Sequence, residues 1–318
     1  MVQRLILEWD AQIMYKIKNL IRMIKAIIVG LFSSEENILN ALEKKIVVFC
    51  YHDVHNEPSE FCLKYNLFVN IRNFLKQIEY IDSKFNIISV KDLSNPDFIF
   101  PKNSAIITFD DGFKGAFNNG IKYLIKKQIP SIAFLNYDSI INRKPMVSSV
   151  AKYVEEMKIN YPDYDIKKNY HLLIEKKEYN KLIKNEDLNL AVKDYQGEII
   201  SIEELEAYNG GKYLNYANHY FQHFNTRIMT DEEIHTQILI NQGYLEKYSS
   251  YTKSFAFTNG DFSTENLNYI QSLNIFDSIF TSFGKASPLG SKVLDRIALD
   301  NTVTNKWSMI SALKNATK

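Results

Sequence analysis

Short apolar runs alternate with amphipathic stretches along most of the chain, and this pattern predicts strands that alternate with helices. Runs rich in β-branched and aromatic residues predict strands at 46–51, 87–90, 105–110, 131–136, 254–257, 277–281 and 294–299. Apolar residues at helical spacing predict helices at 71–81, 114–127, 231–247, 263–273 and 305–315. Such alternation is typical of an α/β protein with a largely parallel sheet and helical crossovers.

Residues 2–32 form a single amphipathic pattern. Apolar residues recur at helical spacing from Leu5 to Leu31, and basic residues occupy other faces. The longest uncharged apolar run, 26–32, is too short to span a bilayer. We expect this helix to pack on the body of the protein or on a second copy of the chain, while an amphipathic basic helix can also lie in a membrane surface.

The start of the chain is unlike a secretory signal. Glu8 and Asp10 are early acidic residues, which such signals normally avoid. We therefore expect a cytoplasmic protein, and we leave open both export and peripheral membrane contact through residues 2–32.

The chain is divided by its pattern into an N-terminal helical segment, 1–44, and one large domain, 45–318. Residues 144–215 interrupt the alternation of this domain with a stretch rich in Lys, Glu, Tyr and Asn. We interpret the stretch as a helical insertion at the rim of the fold that shapes a groove or contacts a partner. Solvated helix faces would give the same charge pattern.

Composition narrows the class of protein. Hydrophobic residues make up 46% of the chain and charged residues 24%, as in ordinary globular proteins. The formal net charge of +1 argues against a dedicated nucleic-acid-binding protein, which usually carries a strongly basic face. The two cysteines, Cys50 and Cys62, make no disulfide framework, and Cys50 lies in an apolar run as a buried small side chain would.

Two adjacent acidic residues end the apolar run 105–110. Asp110 and Asp111 are followed by Gly112, which permits a sharp turn. Neighbouring carboxylates repel each other unless a cation or a proton lies between them. The pair is therefore a candidate functional site, and a polar turn after a strand is the alternative interpretation.

Two histidines four residues apart form a second candidate site. If residues 219–223 are helical, His219 and His223 lie on one face of a single turn. Two imidazoles and one carboxylate make a three-ligand site with open positions, which is the arrangement of catalytic metals. Two surface histidines on a polar helix are the alternative.

Together with three further segments, these sites resemble the motifs of the polysaccharide deacetylases of the NodB-homology type, carbohydrate esterase family 4. Residues Thr108–Gly112 resemble the first motif, and His219–His223 resemble the second, His-Ser/Thr-x-x-His. The family's first strand, third motif and late strand are resembled by 47–54, 255–263 and 294–297. The five matches occur in the family's order.

The resemblance implies a fold and a set of roles. The fold is a distorted, incomplete (β/α)7 barrel, in which sites lie at the C-terminal ends of the strands. Asp110 would be the general base, and Asp111, His219 and His223 would hold a divalent metal. Zinc is the default metal, and cobalt, nickel or iron also suits two histidines and a carboxylate. Such a metal polarises a carbonyl and lowers the pKa of water.

Five residues near the motifs are candidate substrate-binding residues. Tyr51 and His52 lie at the end of the first strand, although His52 would also fit a core position. Phe257 and Asn259 lie in the third motif, where a backbone N–H would stabilise an oxyanion. Arg296 would hold an acidic residue in the site or form a structural ion pair.

The implied reaction is hydrolysis of an N-acetyl group on an amino sugar, in a surface or capsular glycan or its precursor. An O-acetyl ester or another small acyl group is an alternative substrate. Tyr220 and Thr258 replace residues usual in the family, and no histidine follows His235 to protonate a leaving amine. Because loss of a general acid lowers a rate by about 10²–10⁴, the second hypothesis is a catalytically weak or inactive glycan-binding or assembly protein on the same fold.

Overall fold

Apolar strands that are buried on both faces build the centre of the fold. The computed structural model describes the backbone of residues 2–157 and 176–318 and the side chains of residues 17–157 and 179–318. The strands of this part are β1 Lys45–Tyr51, β2 Asp53–Val54, β3 Phe68–Val69, β4 Asn86–Ile87, β5 Ser104–Asp110, β6 Ser131–Leu135, β7 Leu214–Asn218, β8 Tyr251–Ala256, β9 Ser278–Phe280, β10 Ser287–Pro288, β11 Val293–Leu294 and β12 Arg296–Ala298.

Helices connect most of the strands. The α-helices of the described part are α1 Val2–Leu31, α2 Glu35–Leu42, α3 Glu60–Tyr65, α4 Ile71–Lys84, α5 Lys122–Lys126, α6 Tyr137–Ile141, α7 Val147–Glu156, α8 Lys176–Leu182, α9 Glu186–Gln196, α10 Ile202–Ala207, α11 Asp231–Leu245, α12 Thr264–Ser272 and α13 Lys306–Thr317. Short 3₁₀ helices cover Val90–Ser94, Thr226–Ile228 and Thr258–Gly260, and a π-helix covers Ala116–Ile121.

The main sheet closes almost completely into a barrel. Its strand order is β10, β1, β5, β6, β7, β8, β9 and β11, and its pairs are parallel except for β1 with β10. β11 pairs with β9 while β12 pairs with β1, and Asp295 alone joins β11 to β12. The stretch from β11 to β12 therefore connects the two ends of the parallel sheet. The predicted distorted, incomplete (β/α)7 barrel is confirmed.

Alternate residues of each barrel strand face two separate cores. In β1, Ile46 and Val48 pack in the inner core of the barrel. Val47, Phe49 and Tyr51 pack in the outer core, between the sheet and the helices. Strands buried on both faces read as continuous apolar runs, which is why these strands were visible in the sequence.

Two strands of the main sheet, β7 and the short β10, have no counterpart among the predicted strands. β7 carries Asn215 and Asn218, whose amides interrupt the apolar pattern although both side chains are buried. The strand predicted at 87–90 is largely wrong, because β4 ends at Ile87 and Ser89 then caps a 3₁₀ helix. The strand predicted at 294–299 is divided at Asp295 into β11 and β12, and the remaining predicted strands are present with shifted ends.

The predicted helices are also present, with one change of type. The stretch predicted at 114–127 begins as the π-helix and continues as α5. Ser263 and Asn266 cap the start of α12 reciprocally. The described part of the predicted insertion, 144–215, holds α7 to α10, and its residues 158–175 lie outside the described residues.

The N-terminal helix α1 packs along α13 through one of its faces. Gly30 permits this close approach, since a Cβ there would lie 1.9 Å from the carbonyl oxygen of Trp307. Nearer the start of the helix, Asn19 donates a hydrogen bond of 2.9 Å from Nδ2 to Oδ1 of Asn66. The apolar side chains that the pattern assigns to residues 2–16 lie outside the described side chains. No helix of the described part is long and apolar enough to cross a membrane.

We predict that Gly30→Ala lowers the free energy of unfolding by about 1–3 kcal/mol, because the added methyl group must displace the backbone of α13. Gly243→Ala in α11 is the matched control, since a Cβ there meets no atom within 4 Å. The control should be more stable by up to about 1 kcal/mol, as expected for Ala in place of Gly in a helix. Urea denaturation measures both, and equal effects of the two substitutions would contradict the close packing of α1 on α13.

Candidate metal centre and its cavity

A cavity of about 280 Å³ lies at the C-terminal ends of the barrel strands. Its floor carries charged and metal-ligating side chains, namely Asp110, Asp111, His219, His223 and Arg296. Its walls include His52, Phe61, Tyr65, Phe257 and Asn259. The polar residues that the sequence marked in distant segments therefore meet in one place.

The turn after β5 directs two consecutive carboxylates into this cavity. Along a regular strand, neighbouring side chains point to opposite faces, so only one of them could face the barrel interior. Asp111 instead adopts a left-handed conformation with φ of 72°, and Gly112 follows with φ of 79°. The N–H of Asp111 donates to the carbonyl of Phe134 at 3.1 Å. Both carboxylates consequently line the cavity.

Three potential ligand atoms lie close together, one each from Asp111, His219 and His223. Oδ1 of Asp111 lies 3.4 Å from Nε2 of His219 and 3.1 Å from Nε2 of His223. Oδ1 of Asp111 is buried and has no hydrogen-bond partner among the described residues. Burial alone would raise the pKa of Asp111, but the adjacent imidazole of His223 holds that pKa well below its usual value. The group fits a divalent cation.

The hydrogen bond of His219 orients the ring for metal binding. Its Nδ1 lies 2.8 Å from the carbonyl oxygen of Ala256, so Nδ1 carries the proton and donates it to that carbonyl. Nε2 is then left with its lone pair directed toward Asp111. A backbone carbonyl in this position is the usual second partner of a metal-binding histidine.

The prediction that His219 and His223 share a helical turn is wrong. β7 ends at Asn218, and both histidines lie in the loop that follows. Tyr220 has φ of 60°, held in part by its N–H, which donates to the side-chain oxygen of Asn218 at 2.9 Å. The loop conformation, not a helix, brings the imidazoles to within 5.4 Å of each other between ring centroids.

Tyr220, which replaces a residue usual in the family, does not line the cavity. Its ring is fully buried and packs edge-on against Phe255, at 4.9 Å between centroids. Its hydroxyl accepts a hydrogen bond from Thr226 at 3.3 Å. The side chain of Tyr220 therefore lies in the core behind the metal centre.

Asp110 is paired with a buried arginine. Arg296 donates from an η-nitrogen to Oδ1 of Asp110 at 2.6 Å, and its Nε donates to the carbonyl of Thr281 at 3.1 Å. Burial raises the pKa of Asp110, but the guanidinium of Arg296 and the imidazole of His219 bring it below its usual value. Of the two alternatives for Arg296, the first is observed, because it holds an acidic residue in the cavity.

The remaining sequence candidates divide between the cavity and the core. His52, Phe257 and Asn259 line the cavity. Tyr51 does not, because strand alternation turns it outward, where its ring packs between Phe74 and Phe109 at 5.1 and 5.5 Å. The expectation that Tyr51 lines the site is therefore wrong.

Sequence reasoning missed several residues of the cavity. Cys50 was expected to be an ordinary core residue, but it faces the cavity and its thiol donates to Oδ2 of Asp110 at 3.7 Å. Phe61 and Tyr65 come from α3, and Ser148 and Lys152 come from α7 in the predicted insertion. The alternation of β1 indicates only that Cys50 and Tyr51 face opposite sides of the sheet, and no local signal marks the other four.

Comparison with known proteins identifies the fold. No protein-family model matches the chain, and no curated protein sequence matches it. Among solved structures, the chain is similar to the deacetylase PplD of Streptococcus pyogenes in complex with acetate, at 15% identity and a TM-score of 0.56 over 85% of this chain and 99% of that one. IcaB of Ammonifex degensii aligns at 14% identity and a TM-score of 0.55, over 86% of this chain and 98% of that one.

A further similar structure is BC0361, a polysaccharide deacetylase of Bacillus cereus. It shares 13% identity and a TM-score of 0.54, over 85% of this chain and 69% of that one. The chain thus has the fold of the NodB-like polysaccharide deacetylases, as the sequence motifs predicted.

We predict that Arg296→Met lowers the free energy of unfolding of the metal-free protein by about 3–5 kcal/mol at pH 7, because the carboxylate of Asp110 is left buried without its cation. Because Arg296 lowers the pKa of Asp110, the ion pair stabilises the fold at pH values above 3.8, the ordinary pKa of this carboxyl. This stabilisation is lost as the pH falls below that value. The difference in the free energy of unfolding between the wild type and the variant should therefore be largest above pH 3.8 and narrow as the pH falls below that value.

The control is the double variant Arg296→Met with Asp110→Asn, which removes both charges. Denaturation in the presence of a chelator should show that the double variant regains much of the lost stability. If Arg296→Met lowers the free energy of unfolding equally in the wild type and in Asp110→Asn, the ion pair is not the source of the lost stability.

Proposed function

We propose that the protein is a metal-dependent hydrolase that removes acetyl groups from an amino sugar or another acetylated carbohydrate. The observation that carries this proposal is the convergence of Asp111, His219 and His223 beside a second carboxylate, Asp110. This group lies at the strand ends of a deacetylase fold, where barrel enzymes have their active sites. The carbohydrate substrate is supported by the similarity to polysaccharide deacetylases.

The roles follow from the environment of each side chain. A divalent cation, zinc by default and cobalt, nickel or iron by ligand type, would polarise the acetyl carbonyl and lower the pKa of the attacking water. Asp111, His219 and His223 would hold it. Asp110 would accept the proton of that water, since its lowered pKa keeps it ionised at neutral pH and Arg296 fixes its orientation.

The leaving amine requires a proton, and His52 is our candidate for its delivery. A ring nitrogen of His52 lies within 4.8 Å of a carboxylate oxygen of Asp110. Burial lowers the pKa of His52 below 6.5, against the opposing effect of Asp111 and Asp110, so the neutral imidazole can accept a proton at pH 7. We infer a relay in which the proton passes from water to Asp110, then to His52, and finally to the amine.

We predict that the purified protein loaded with zinc or cobalt releases acetate from N-acetylated oligosaccharides, and that a chelator abolishes the release. Asp111→Asn and His223→Gln should lose the bound metal and the activity together. Asp110→Asn should retain the metal and lose about 10²–10⁴ of the rate, because the base is removed while the three metal ligands remain. Asp97→Asn, at an exposed acidic residue that does not line the cavity, is the control and should behave as the wild type.

Metal content by elemental analysis and acetate release together distinguish the outcomes. Full activity of Asp110→Asn would overturn the proposed mechanism. A metal-free cavity in protein purified with metal present, combined with glycan binding, would favour the non-catalytic glycan-binding protein instead.

We predict that His52→Gln slows hydrolysis of an N-acetyl substrate by at least about 10², while an acetate ester with a good leaving group is affected less. The difference arises because an amine leaves only when protonated, whereas a phenolate does not need the proton. His55→Gln is the matched control, since His55 lies three residues later, after β2, and does not line this cavity. Equal losses on the two substrates would exclude His52 as the source of the proton.

A further inference from the structure

An exposed apolar stripe runs along α1. Six large aliphatic side chains, each at least 46% exposed, form it: Ile17, Leu20, Ile21, Ile24, Ile28 and Leu31. Phe32, the next residue, extends the stripe and is 86% exposed. At 3.6 residues per turn, these positions share an arc of roughly 120° and extend for about 24 Å. The stripe is therefore a contiguous apolar surface, not a set of isolated exposed side chains.

The stripe is on the side of α1 that faces away from the protein body. Gly30 lies against the backbone of Trp307, and Asn19 is hydrogen-bonded to Asn66, so the opposite side of the helix is the packed one. Within the part of the chain that the structure describes, no element covers the stripe. Packing of α1 on the protein body therefore does not explain why its outer side is apolar.

Basic side chains follow one edge of the stripe. Lys18, Arg22 and Lys25 are exposed and lie between the apolar arc and the packed side of the helix. Arg22 reaches Asp300 at 3.5 Å, with 56% of its side chain still exposed. Residues 11–34 contain no aspartate or glutamate. The surface thus combines an apolar stripe with a row of basic side chains along one edge.

We propose that α1 docks the protein on the surface of an anionic lipid membrane. The helix lies in the plane of the interface, with the stripe at the boundary between headgroups and acyl chains and the basic edge on the lipid phosphates. This proposal does not rest on the proposed hydrolase activity. It assigns an occupant by charge complementarity, since Lys18, Arg22 and Lys25 beside the stripe attract an anionic partner.

A second copy of the chain is a poorer occupant of the same stripe. A twofold interface brings identical surfaces together. Pairing α1 with itself through the stripe would place the basic edges of two helices at one interface, and residues 11–34 supply no acidic side chain to compensate them. Like charges so placed destabilise a helix pair, whereas lipid phosphates neutralise them.

The position of α1 relates the membrane to the cavity. Asn19 contacts Asn66, and Arg22 contacts Asp300. Asn66 lies between Tyr65 and Leu67, and Asp300 lies two residues after Ala298, all three of which line the cavity. The middle of the helix therefore borders the rim of the cavity.

We predict that the full chain co-sediments with vesicles of phosphatidylcholine and phosphatidylglycerol at low salt. It should bind less at high salt and little to vesicles of phosphatidylcholine alone, because screening weakens the attraction to the anionic headgroups. Ile24→Asp with Ile28→Asp should reduce binding to background. Lys18→Gln with Lys25→Gln should weaken it roughly 30-fold, at about 1 kcal/mol for each basic residue.

Two matched controls keep the test specific. Leu239→Asp with Ile240→Asp makes the same change at two exposed apolar residues of α11. Lys122→Gln with Lys126→Gln removes the same charge from exposed lysines of α5. Both double variants should bind as the wild type does, and circular dichroism should show that all variants are folded.

Three results would overturn the proposal. The first is a wild type that does not sediment with anionic vesicles, and the second is a stripe variant that binds as well as the wild type. The third is a wild-type dimer in solution that Ile24→Asp with Ile28→Asp converts to a monomer, because a second copy would then cover the stripe.

Discussion

Two neighbouring carboxylates are buried at the end of β5, and their charge constrains the arrangement of the barrel around them. Asp110 and Asp111 are each 3% exposed. A buried charge without compensation costs several kcal/mol, so each carboxylate needs a cationic or metal partner. Arg296 forms an ion pair with Asp110, while the imidazoles of His219 and His223 lie beside Asp111. Three distant segments of the chain are thereby required to meet at one point.

The barrel supplies that meeting point through its register. β1 pairs with β5 on one side and with β12 on the other, and Val48 lies opposite both Ile106 and Arg296. Arg296 thus begins the strand that completes the barrel and also carries the guanidinium that neutralises Asp110. Closure of the barrel and stabilisation of the buried acid depend on the same short stretch. A shift of β12 by one residue would turn Arg296 to the other face.

The cavity combines a polar floor from the barrel with a more apolar wall from its surroundings. Asp110 and Arg296 lie on barrel strands, while Asp111, His219 and His223 lie in the turns that directly follow strand ends. Phe61, Tyr65 and Lys152 come from α3 and α7, outside the barrel. This division suits a fold in which the chemistry stays on the strands and substrate choice varies in the connecting segments.

The sequence alone determined the elements that depend on local pattern. The α/β alternation, the acidic turn after β5 and the histidine pair were all visible, because burial period, turn residues and spacing are local properties. β7 was not visible, since Asn215 and Asn218 are buried amides that satisfy their hydrogen bonds only through tertiary partners. The same holds for the histidine loop, whose backbone conformation depends on contacts made by Asn218 and Gln237.

The tertiary structure decided which of two buried faces each side chain occupies. A strand that is apolar on both sides gives no indication of which alternate residues face the barrel interior. Tyr51 and Cys50 were therefore assigned to the wrong environments, and the pairing of Arg296 with Asp110 stayed undecided. Only the register between strands far apart in the chain fixes these orientations, because it is set by the packing of the whole sheet.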